Sequence, residues 1–295
     1  MILTSFDNKE IYVREWKNVE EPRGVVQIAH GMNEYSGRYE AFAAYLNSLG
    51  YIVVASDHRG HGETDPETLG YWEGDMFDDT VKDLACVAKH YKEEYPDLKY
   101  ILFGFSYGSF LSQRFIQKYA RFLDGAILGG SSKNGWALAE TGYLFASLGA
   151  KCKGGDAPAR FVNQMIFGGY DKKMKGGEFL SVDEENNVKY HADPYCNYVC
   201  SNNFFRSFMK NMKKLYSKNW AGGLNPEMPL LLISGEDDAV GGMGKGTRKL
   251  YKFYRDCGMK NVTLHLIKGS RHEFLNEKSN RDEALSVISD FLRKI

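Results

Sequence analysis

The chain has 295 residues, of which 43% are hydrophobic and 26% charged, and its 38 basic and 38 acidic side chains give a formal net charge of +0. This length and composition indicate one large globular domain, or one domain with a sizeable insertion. The balanced charge argues against a nucleic-acid-binding protein, which would normally carry a basic excess. No apolar run approaches the length of a membrane span.

The N-terminus and the cysteines bear on where the protein works. Residues 1–7 contain no basic segment followed by an apolar one, so the sequence predicts no secretory signal. The five cysteines are an odd number and are scattered along the chain. A reduced, cytoplasmic protein is the simpler interpretation of that pattern.

Short apolar strands alternate with helical patterns through the first 130 residues. Residues 2–6 and 11–16 predict a β-hairpin around Asp7-Asn8. Further runs of buried-strand type follow at 24–29, 51–55, 100–103 and 125–129, with helical patterns at 41–49, 81–91 and 110–119. This alternation predicts an α/β protein with a parallel sheet covered on both faces.

The alternation stops between residues 133 and 225 and then resumes. A strand is predicted at 230–234, a helix near 245–254, a second strand at 262–267 and an amphipathic helix at 284–292. We therefore expect a core formed by residues 1–132 and 226–295, with residues 133–225 inserted as a cap. The aromatic content of the cap is close to the chain average, so it does not by itself indicate a lipid-binding surface.

The sequence Gly104-Phe105-Ser106-Tyr107-Gly108 lies between a predicted strand and a predicted helix. This is the G-x-S-x-G pattern in the setting that a nucleophile elbow requires. The serine takes a strained backbone conformation that exposes its hydroxyl, and the two glycines let strand and helix approach closely. An ordinary glycine-rich loop is the alternative, and the flanking strand and helix weigh against it.

A serine hydroxyl needs a base to act as a nucleophile, and the base needs a carboxylate to orient it. In hydrolases with a nucleophile elbow the order is serine, acid, histidine, each after a strand. Asp238 and His272 meet that order, because they follow the last two predicted strands. Glu236 and Asp237 compete with Asp238 for the acid role. Six other histidines compete with His272 but do not follow the last strand: His30, His58, His61, His90, His191 and His265.

An oxyanion hole requires two backbone N–H donors near the nucleophile. We expect one from Tyr107, the residue after the serine, and one from Met32, in the loop after the strand that ends near His30. One such donor stabilises the transition state by roughly 3 kcal/mol.

Three segments together, residues 30–39, 57–62 and 104–108, resemble the monoacylglycerol lipase and lysophospholipase branch of the α/β-hydrolases, which is also grouped with the serine aminopeptidases. The resemblance covers the core before Lys133 and after Pro229. It implies a mostly parallel eight-stranded sheet flanked by helices, a helical cap between the sixth and seventh strands, and ester hydrolysis through an acyl-enzyme without metal or cofactor. The site residues that it implies are the triad Ser106, Asp238 and His272, the oxyanion donors Met32 and Tyr107, and the motif or pocket-lining residues His30, Gly31, Gly104 and Gly108.

Several alternatives remain open from the sequence. The expected partner is a small acyl ester such as a monoacylglycerol or lysophospholipid, with lipid-surface contact through the cap and no nucleic acid, and the oligomeric state is not predicted. An aminopeptidase or amidase would need a cap carboxylate to hold the substrate amine, with Asp156, Glu178, Asp183 and Asp193 as candidates. An acyltransferase would use the same triad, and a non-catalytic binding protein would keep only the scaffold.

Three further patterns are set aside. Residues 241–247 lack the spacing of a phosphate-binding loop. His191, Cys196 and Cys200 lack zinc-finger spacing and are expected to pack within the cap. His58 and His61 are expected to stabilise their loop rather than to catalyse.

Overall fold

The computed structural model describes residues 1–133, 136–174 and 177–295, apart from the side chains of residues 136–138. Residues 134–135 and 175–176 of the predicted cap therefore lie outside the described residues. No helix in the described ranges is both long and apolar enough to cross a membrane.

A single sheet of eight strands organises the fold, in the spatial order β1-β2-β4-β3-β5-β6-β7-β8. The first two strands form the predicted hairpin, and β2 pairs with β4 in antiparallel orientation, whereas every later pairing is parallel. The mostly parallel eight-stranded sheet is therefore confirmed. The strands are β1 (Ile2–Thr4), β2 (Glu10–Trp16), β3 (Gly24–Ala29), β4 (Tyr51–Ser56), β5 (Lys99–Phe105), β6 (Gly125–Gly129), β7 (Leu230–Gly235) and β8 (Val262–Ile267).

Ten α-helices are described, and five of them flank the sheet on its two faces. They are α1 (Glu40–Ser48), α2 (Met76–Glu94), α3 (Tyr107–Lys118), α4 (Trp136–Lys153), α5 (Arg160–Asp171), α6 (Glu184–Ala192), α7 (Asn202–Met212), α8 (Lys218–Ala221), α9 (Lys245–Asp256) and α10 (Arg281–Leu292). On one face α2, α3 and α9 share an apolar core with the strands, and on the other face α1 and α10 do so. The central strands are buried on both sides, which explains why they appear in the sequence as continuous apolar runs.

Helices α4 to α8 lie between β6 and β7, where the cap is expected. The cap is not a separate hydrophobic unit. Phe204 and Phe205 of α7 are fully buried in the same core as α2 and α3, and the Phe208 ring stacks against Phe77 of α2 at 6.0 Å between centroids. The exact boundaries 133 and 225 remain a prediction.

The strand order fixes where the candidate catalytic loops lie. Strands β5, β7 and β8 are parallel to one another and lie in the same half of the sheet, where β6 is the only strand between β5 and β7. The carboxyl ends of parallel strands meet at one edge, and loops that leave this edge form the usual ligand site of open α/β sheets. The loops that carry Ser106, Asp238 and His272 all begin there.

Candidate active site

Ser106 occupies the sharp turn between β5 and α3. Its backbone angles are φ 51° and ψ −118°, a region that residues with a side chain rarely adopt. The turn is held by the Ser106 N–H, which donates to the Gly129 carbonyl at 2.9 Å. A strained residue held in this way is typical of a functional site.

The two glycines of the turn are required by close contacts. A Cβ atom at Gly108 would lie 2.0 Å from the Ala29 carbonyl oxygen, and one at Gly104 would lie 2.2 Å from Ser112 Oγ. Neither distance is compatible with a side chain, so glycine at both positions lets α3 pack directly on the ends of β3 and β5.

The structure brings Ser106, His272 and Asp238 together. His272 Nε2 lies 2.8 Å from Ser106 Oγ, and His272 Nδ1 lies 3.0 Å from Asp238 Oδ1. Asp238 is fully buried. Of its two competitors, Glu236 is half-buried and Asp237 exposed, and Glu236 faces Arg248 on the surface.

Charge and hydrogen bonding favour the ionised form of Asp238. Burial alone would raise the pKa of this carboxyl, but His272, the Ser234 hydroxyl and the Gly241 N–H together lower it. Ser234 Oγ donates to Asp238 Oδ2 at 3.0 Å, and the Val240 N–H donates to Oδ1 at 2.8 Å. Burial would lower the pKa of His272, but the Asp238 carboxylate outweighs burial and raises it.

The expected oxyanion donors adjoin the nucleophile. Met32 and Tyr107 line the same cavity as Ser106, and a Cβ atom at Gly31 would lie only 3.3 Å from Ser106 Cβ. Tyr107 is the first residue of α3. Its N–H therefore belongs to the positive end of a helix dipole and has no acceptor within the helix.

An ionic network that the sequence did not predict joins the Met32 loop to the His272 loop. Arg38 contacts Glu273 through both arms, at 2.6 and 2.7 Å, and contacts Glu34 at 2.7 Å. Glu34 in turn accepts the Gly31 N–H and, at 2.8 Å, the Tyr39 hydroxyl. Both carboxylates are buried. The i, i+4 spacing of Glu34 and Arg38 was the only local signal of this network.

Three buried histidines, His30, His58 and His61, pack beside the Met32 loop. The His30 and His58 rings stack at 3.7 Å between centroids. His30 Nε2 accepts the His58 N–H at 2.9 Å, and His58 Nε2 lies 3.0 Å from the His30 carbonyl. Burial lowers the pKa of His58 to about 3 and that of His61 to about 4, so both rings are neutral near pH 7. His61 Nδ1 lies 2.9 Å from the Arg59 carbonyl of its own loop. These contacts agree with the expected role of His58 and His61 in stabilising the loop that carries them.

An apolar cavity of about 60 Å³ opens at Ser106. This is about twice the volume of about 30 Å³ that one molecule occupies in liquid water. The lining residues come from the Met32 loop, the elbow, the Asp238 loop and cap helices α4, α5 and α7: Met32, Ser106, Tyr107, Phe110, Ala139, Ile166, Phe167, Tyr170, Phe208, Met209, Met212 and Val240. His30, Gly31, Gly104 and Gly108 are not among them.

The other candidate groups do not contribute to this site. A larger groove of about 670 Å³ lies at the amino ends of the strands, beside Lys99 and Arg293. His191 pairs with Glu178 on the surface, and Cys200 Sγ contacts Asn33. In the described ranges no three His, Cys, Asp or Glu side chains are grouped so as to hold a metal ion.

Comparison with known proteins adds relatives along most of the chain. A family model described as serine aminopeptidase, S33, matches residues 20–279. A monoglyceride lipase homolog of monkeypox virus is 26% identical over 278 residues, 92% of this chain and 90% of the viral protein. The monoglyceride lipase of Mus musculus is 29% identical over 270 residues, 92% of this chain and 82% of the mouse protein.

Solved structures agree with these relatives. A thermostable carboxyl esterase from Bacillus coagulans, in complex with glycerol, superposes with a TM-score of 0.90 and 26% identity over 100% of this chain and 97% of the esterase. The monoacylglycerol lipase of Paleococcus ferrophilus superposes with a TM-score of 0.74 and 23% identity over 96% and 98% of the two chains, and this supports the fold. The chain therefore belongs to the serine aminopeptidase S33 family of α/β-hydrolases, on the branch that resembles the monoacylglycerol lipases.

Proposed function

We propose that this protein is a serine hydrolase that cleaves carboxylic esters through an acyl-enzyme on Ser106. The observation that carries the proposal is the contact of 2.8 Å between Ser106 Oγ and His272 Nε2. The proposed substrates are monoacylglycerols, lysophospholipids or related small acyl esters. A monoglyceride lipase and a carboxyl esterase among the similar proteins support this class.

The first half of the proposed reaction forms the acyl-enzyme. His272 Nε2 takes the hydroxyl proton as Ser106 Oγ attacks the ester carbonyl carbon, which gives a tetrahedral oxyanion. Collapse of this intermediate breaks the bond to the alcohol oxygen, and the imidazolium donates its proton to the leaving alcohol. Asp238 keeps the remaining proton on Nδ1 and stabilises the imidazolium while it exists.

The second half releases the acid. His272 takes a proton from a water molecule, the resulting nucleophile attacks the acyl carbon, and the acyl bond to Ser106 Oγ breaks as Oγ regains a proton. In both halves we assign stabilisation of the oxyanion to the N–H groups of Met32 and Tyr107. These donors belong to the backbone, so the packing of the Gly31 loop against the elbow supports this assignment.

The apolar lining of the cavity supports an acyl substrate. Its walls are mostly Met, Phe, Ile, Ala and Val side chains, and none of the four cap carboxylates considered for amine recognition lines it. No observation therefore favours the aminopeptidase alternative. A cavity of about 60 Å³ is too small for a long acyl chain, so such a chain would have to displace side chains such as Met209 and Met212, which are flexible enough to allow it.

The test is hydrolysis of p-nitrophenyl esters from acetyl to palmitoyl, with Ser106→Ala as the inactive variant. Ser112→Ala is the matched control, because Ser112 is buried on the helix that follows Ser106 and donates to the Gly108 carbonyl. We expect turnover in wild type and in Ser112→Ala, and none in Ser106→Ala. Ester turnover that survives in Ser106→Ala would contradict the mechanism.

Three further assays separate the alternatives. Aminoacyl p-nitroanilides test the peptidase alternative, and an added alcohol acceptor tests for acyl transfer. Labelling with a fluorophosphonate tests for a nucleophilic serine without any substrate. Folded protein that neither labels at Ser106 nor turns over any ester would instead favour a non-catalytic binding protein.

We further propose that the cap, residues 133–225, contacts a lipid surface transiently. On α4, Leu144 and Leu148 are 63% and 54% exposed, and Phe161 of α5 is 63% exposed. The Phe145 and Phe161 rings lie 4.8 Å apart, so these side chains form one apolar patch. Sedimentation with phosphatidylcholine vesicles tests the patch, and Leu148→Lys with Phe161→Asp should abolish co-sedimentation.

The cytoplasmic location remains a proposal as well. It is supported by the free state of all five cysteines, and cell fractionation would test it.

A further inference from the structure

The loop that carries His272 is held by a segment of the cap. The His272 N–H donates to the Phe179 carbonyl at 3.4 Å, and the Glu273 N–H donates to the Leu180 carbonyl at 2.8 Å. The Arg271 guanidinium donates to the Glu178 carbonyl at 2.7 Å. Residues 178–182 of the cap, which we call the cap segment, therefore run beside residues 270–273, which we call the histidine loop.

One carboxylate ties these two segments together. Glu277 is fully buried and lies between the histidine loop and α10. Its Oε1 accepts the Val182 N–H at 3.0 Å and the Arg271 N–H at 3.1 Å. Its Oε2 accepts the Ser270 hydroxyl at 2.5 Å and the Asn280 side-chain amide at 2.9 Å.

The four bonds come from three separate parts of the chain: the cap segment, the histidine loop and the start of α10. A carboxylate has about four acceptor positions, so this one is saturated. A buried backbone N–H that loses its acceptor costs about 1–3 kcal/mol. The partly buried Val182 and Arg271 amides would both lose an acceptor if the Glu277 carboxylate were removed. The cap segment would then keep its direct bonds to the histidine loop but lose the carboxylate that joins both segments to the start of α10.

We propose that Glu277 is a positioning residue for the reaction, which holds His272 in line with Ser106 by fastening the histidine loop to the cap segment. The inference rests on the proposed function. Glu277 makes no hydrogen bond to Ser106 or Asp238, so its effect would act through the placement of His272. The position of His272 relative to Ser106 would then depend on the docking of the cap segment against the histidine loop.

Glu277 acts separately from the Arg38 network. Arg38 holds the Glu273 side chain and connects it to Glu34 and the Met32 loop. Glu277 holds the backbone of the same histidine loop from the cap side. Loss of Glu277 should therefore change the position of the imidazole while the Met32 loop stays in place.

The experiment compares Glu277→Ala and Glu277→Gln with Asp75→Ala and Asp75→Asn. Asp75 is a matched control, because it also ties cap to core by accepting bonds from Ser207 and Asn211 of α7 and makes no hydrogen bond to the histidine loop. p-Nitrophenyl acetate is the substrate, since its short acyl group makes least use of the cap-lined cavity. Each variant is assayed for kcat, KM, the pH profile and the rate of fluorophosphonate labelling, below its unfolding temperature.

We expect Glu277→Ala to lower kcat and the labelling rate at least about 10-fold relative to Asp75→Ala, with KM within about twofold, because a misplacement of about 1 Å can cost 10²-fold in rate. Glu277→Gln keeps a carbonyl oxygen for two of the four donors, so its kcat should fall between wild type and Glu277→Ala. The acid limb of the pH profile should move to lower pH in Glu277→Ala, because the imidazole would lie less closely against Asp238.

Equal kcat values in the Glu277 variants and their Asp75 counterparts would overturn the proposal. If Glu277→Ala does not fold, Glu277→Gln against Asp75→Asn decides, and the expected fall in kcat is then about 3- to 10-fold. Failure of the proposed function gives a different result, since the wild-type protein itself would neither label nor turn over ester.

Discussion

His272 presents Nε2, and not Nδ1, to the hydroxyl of Ser106. The distance from Nε2 to Ser106 Oγ is 2.8 Å, while Nδ1 faces the carboxylate of Asp238 at 3.0 Å. A carboxylate beside Nδ1 keeps the proton of the neutral imidazole on that nitrogen. Nε2 is then the free acceptor, and it can take the serine proton.

The first prediction concerns the pH profile. A base must be neutral to accept a proton, so activity should rise with pH through the pKa of His272. Asp238 raises this pKa above its usual value of 6.5. We therefore expect the acid limb of kcat/KM for a p-nitrophenyl ester to have its midpoint above pH 6.5.

Asp238→Asn is the variant that tests the cause of this shift. Without the Asp238 carboxylate, burial lowers the pKa of His272 and is opposed only by the smaller effects of Glu273 and Glu34, so the limb should move to lower pH. The rate itself should fall by about 10⁴-fold, the loss known when a triad carboxylate becomes an amide. A limb that stays in place would mean that another group controls the profile.

The second prediction concerns Arg38. Arg38→Gln would leave the buried carboxylates of Glu34 and Glu273 without their guanidinium, and breaking a buried ion pair costs about 3–5 kcal/mol. We expect the free energy of unfolding in urea to fall by that order. Arg38→Lys keeps the charge but loses the two-armed contact with Glu273, so its stability should be intermediate.

Activity adds a second measurement on the same variants. Arg38 connects the loop that carries Met32 to the loop that carries His272, so kcat should fall in Arg38→Gln even where the protein remains folded. A loss of stability below about 1 kcal/mol, together with unchanged kcat, would contradict the prediction. It would show that the network contributes no more to stability than an exposed ion pair does.

Sequence order was enough to predict the loops of the candidate triad, because each loop follows a strand with an unmistakable apolar pattern. Asp238 could be preferred over Glu236 and Asp237 only by its position in the turn, and the structure buries it beside His272. The contact between Arg38 and Glu273 spans 235 positions. No local pattern encodes such a contact, since it depends on how two loops face each other after the sheet has formed.

The residues indicated the cap by position alone; its helical character came from the family resemblance, and its individual helices were not predicted. Glycines interrupt the patterns of α4 and α5, and α7 takes its place by packing against α2 and α3. The bonds of Phe179 and Leu180 to the histidine loop are made by backbone carbonyls. Any residue supplies a carbonyl, so side-chain identities in the sequence give no sign of this contact.

The third prediction concerns the buried histidines. The pKa of His58 is about 3 in the folded protein, against 6.5 as its usual value. Between these two values the unfolded chain binds a proton that the folded protein does not. Stability is therefore complete above pH 6.5 and falls as the pH is lowered, by about 1.4 kcal/mol per pH unit for one such group.

His58→Asn removes this titrating group and leaves an amide that can donate to the His30 carbonyl. Urea unfolding between pH 6 and pH 4.5 should show a slope of stability against pH that is smaller in the variant by about 1.4 kcal/mol per unit. The comparison uses slopes, so a constant loss of stability in the variant does not matter. Parallel slopes would mean that His58 binds its proton equally in both states.

The last prediction concerns the length of the acyl chain. Ala139 of α4 lines the cavity beside Ser106 and is buried. A phenyl ring at this position would fill space that an acyl chain needs while leaving the triad and the Met32 loop untouched. We expect Ala139→Phe to lower the ratio of palmitoyl to acetyl ester turnover at least about 10-fold. The ring would exclude several methylenes of the acyl chain from the cavity, and each buried methylene contributes about 0.8 kcal/mol. Thr141→Phe is the control, since Thr141 lies on the same helix but is exposed and does not line the cavity, and its ratio should match that of wild type. An unchanged ratio in Ala139→Phe would place the acyl chain elsewhere, and the apolar cavity would then not be the acyl site.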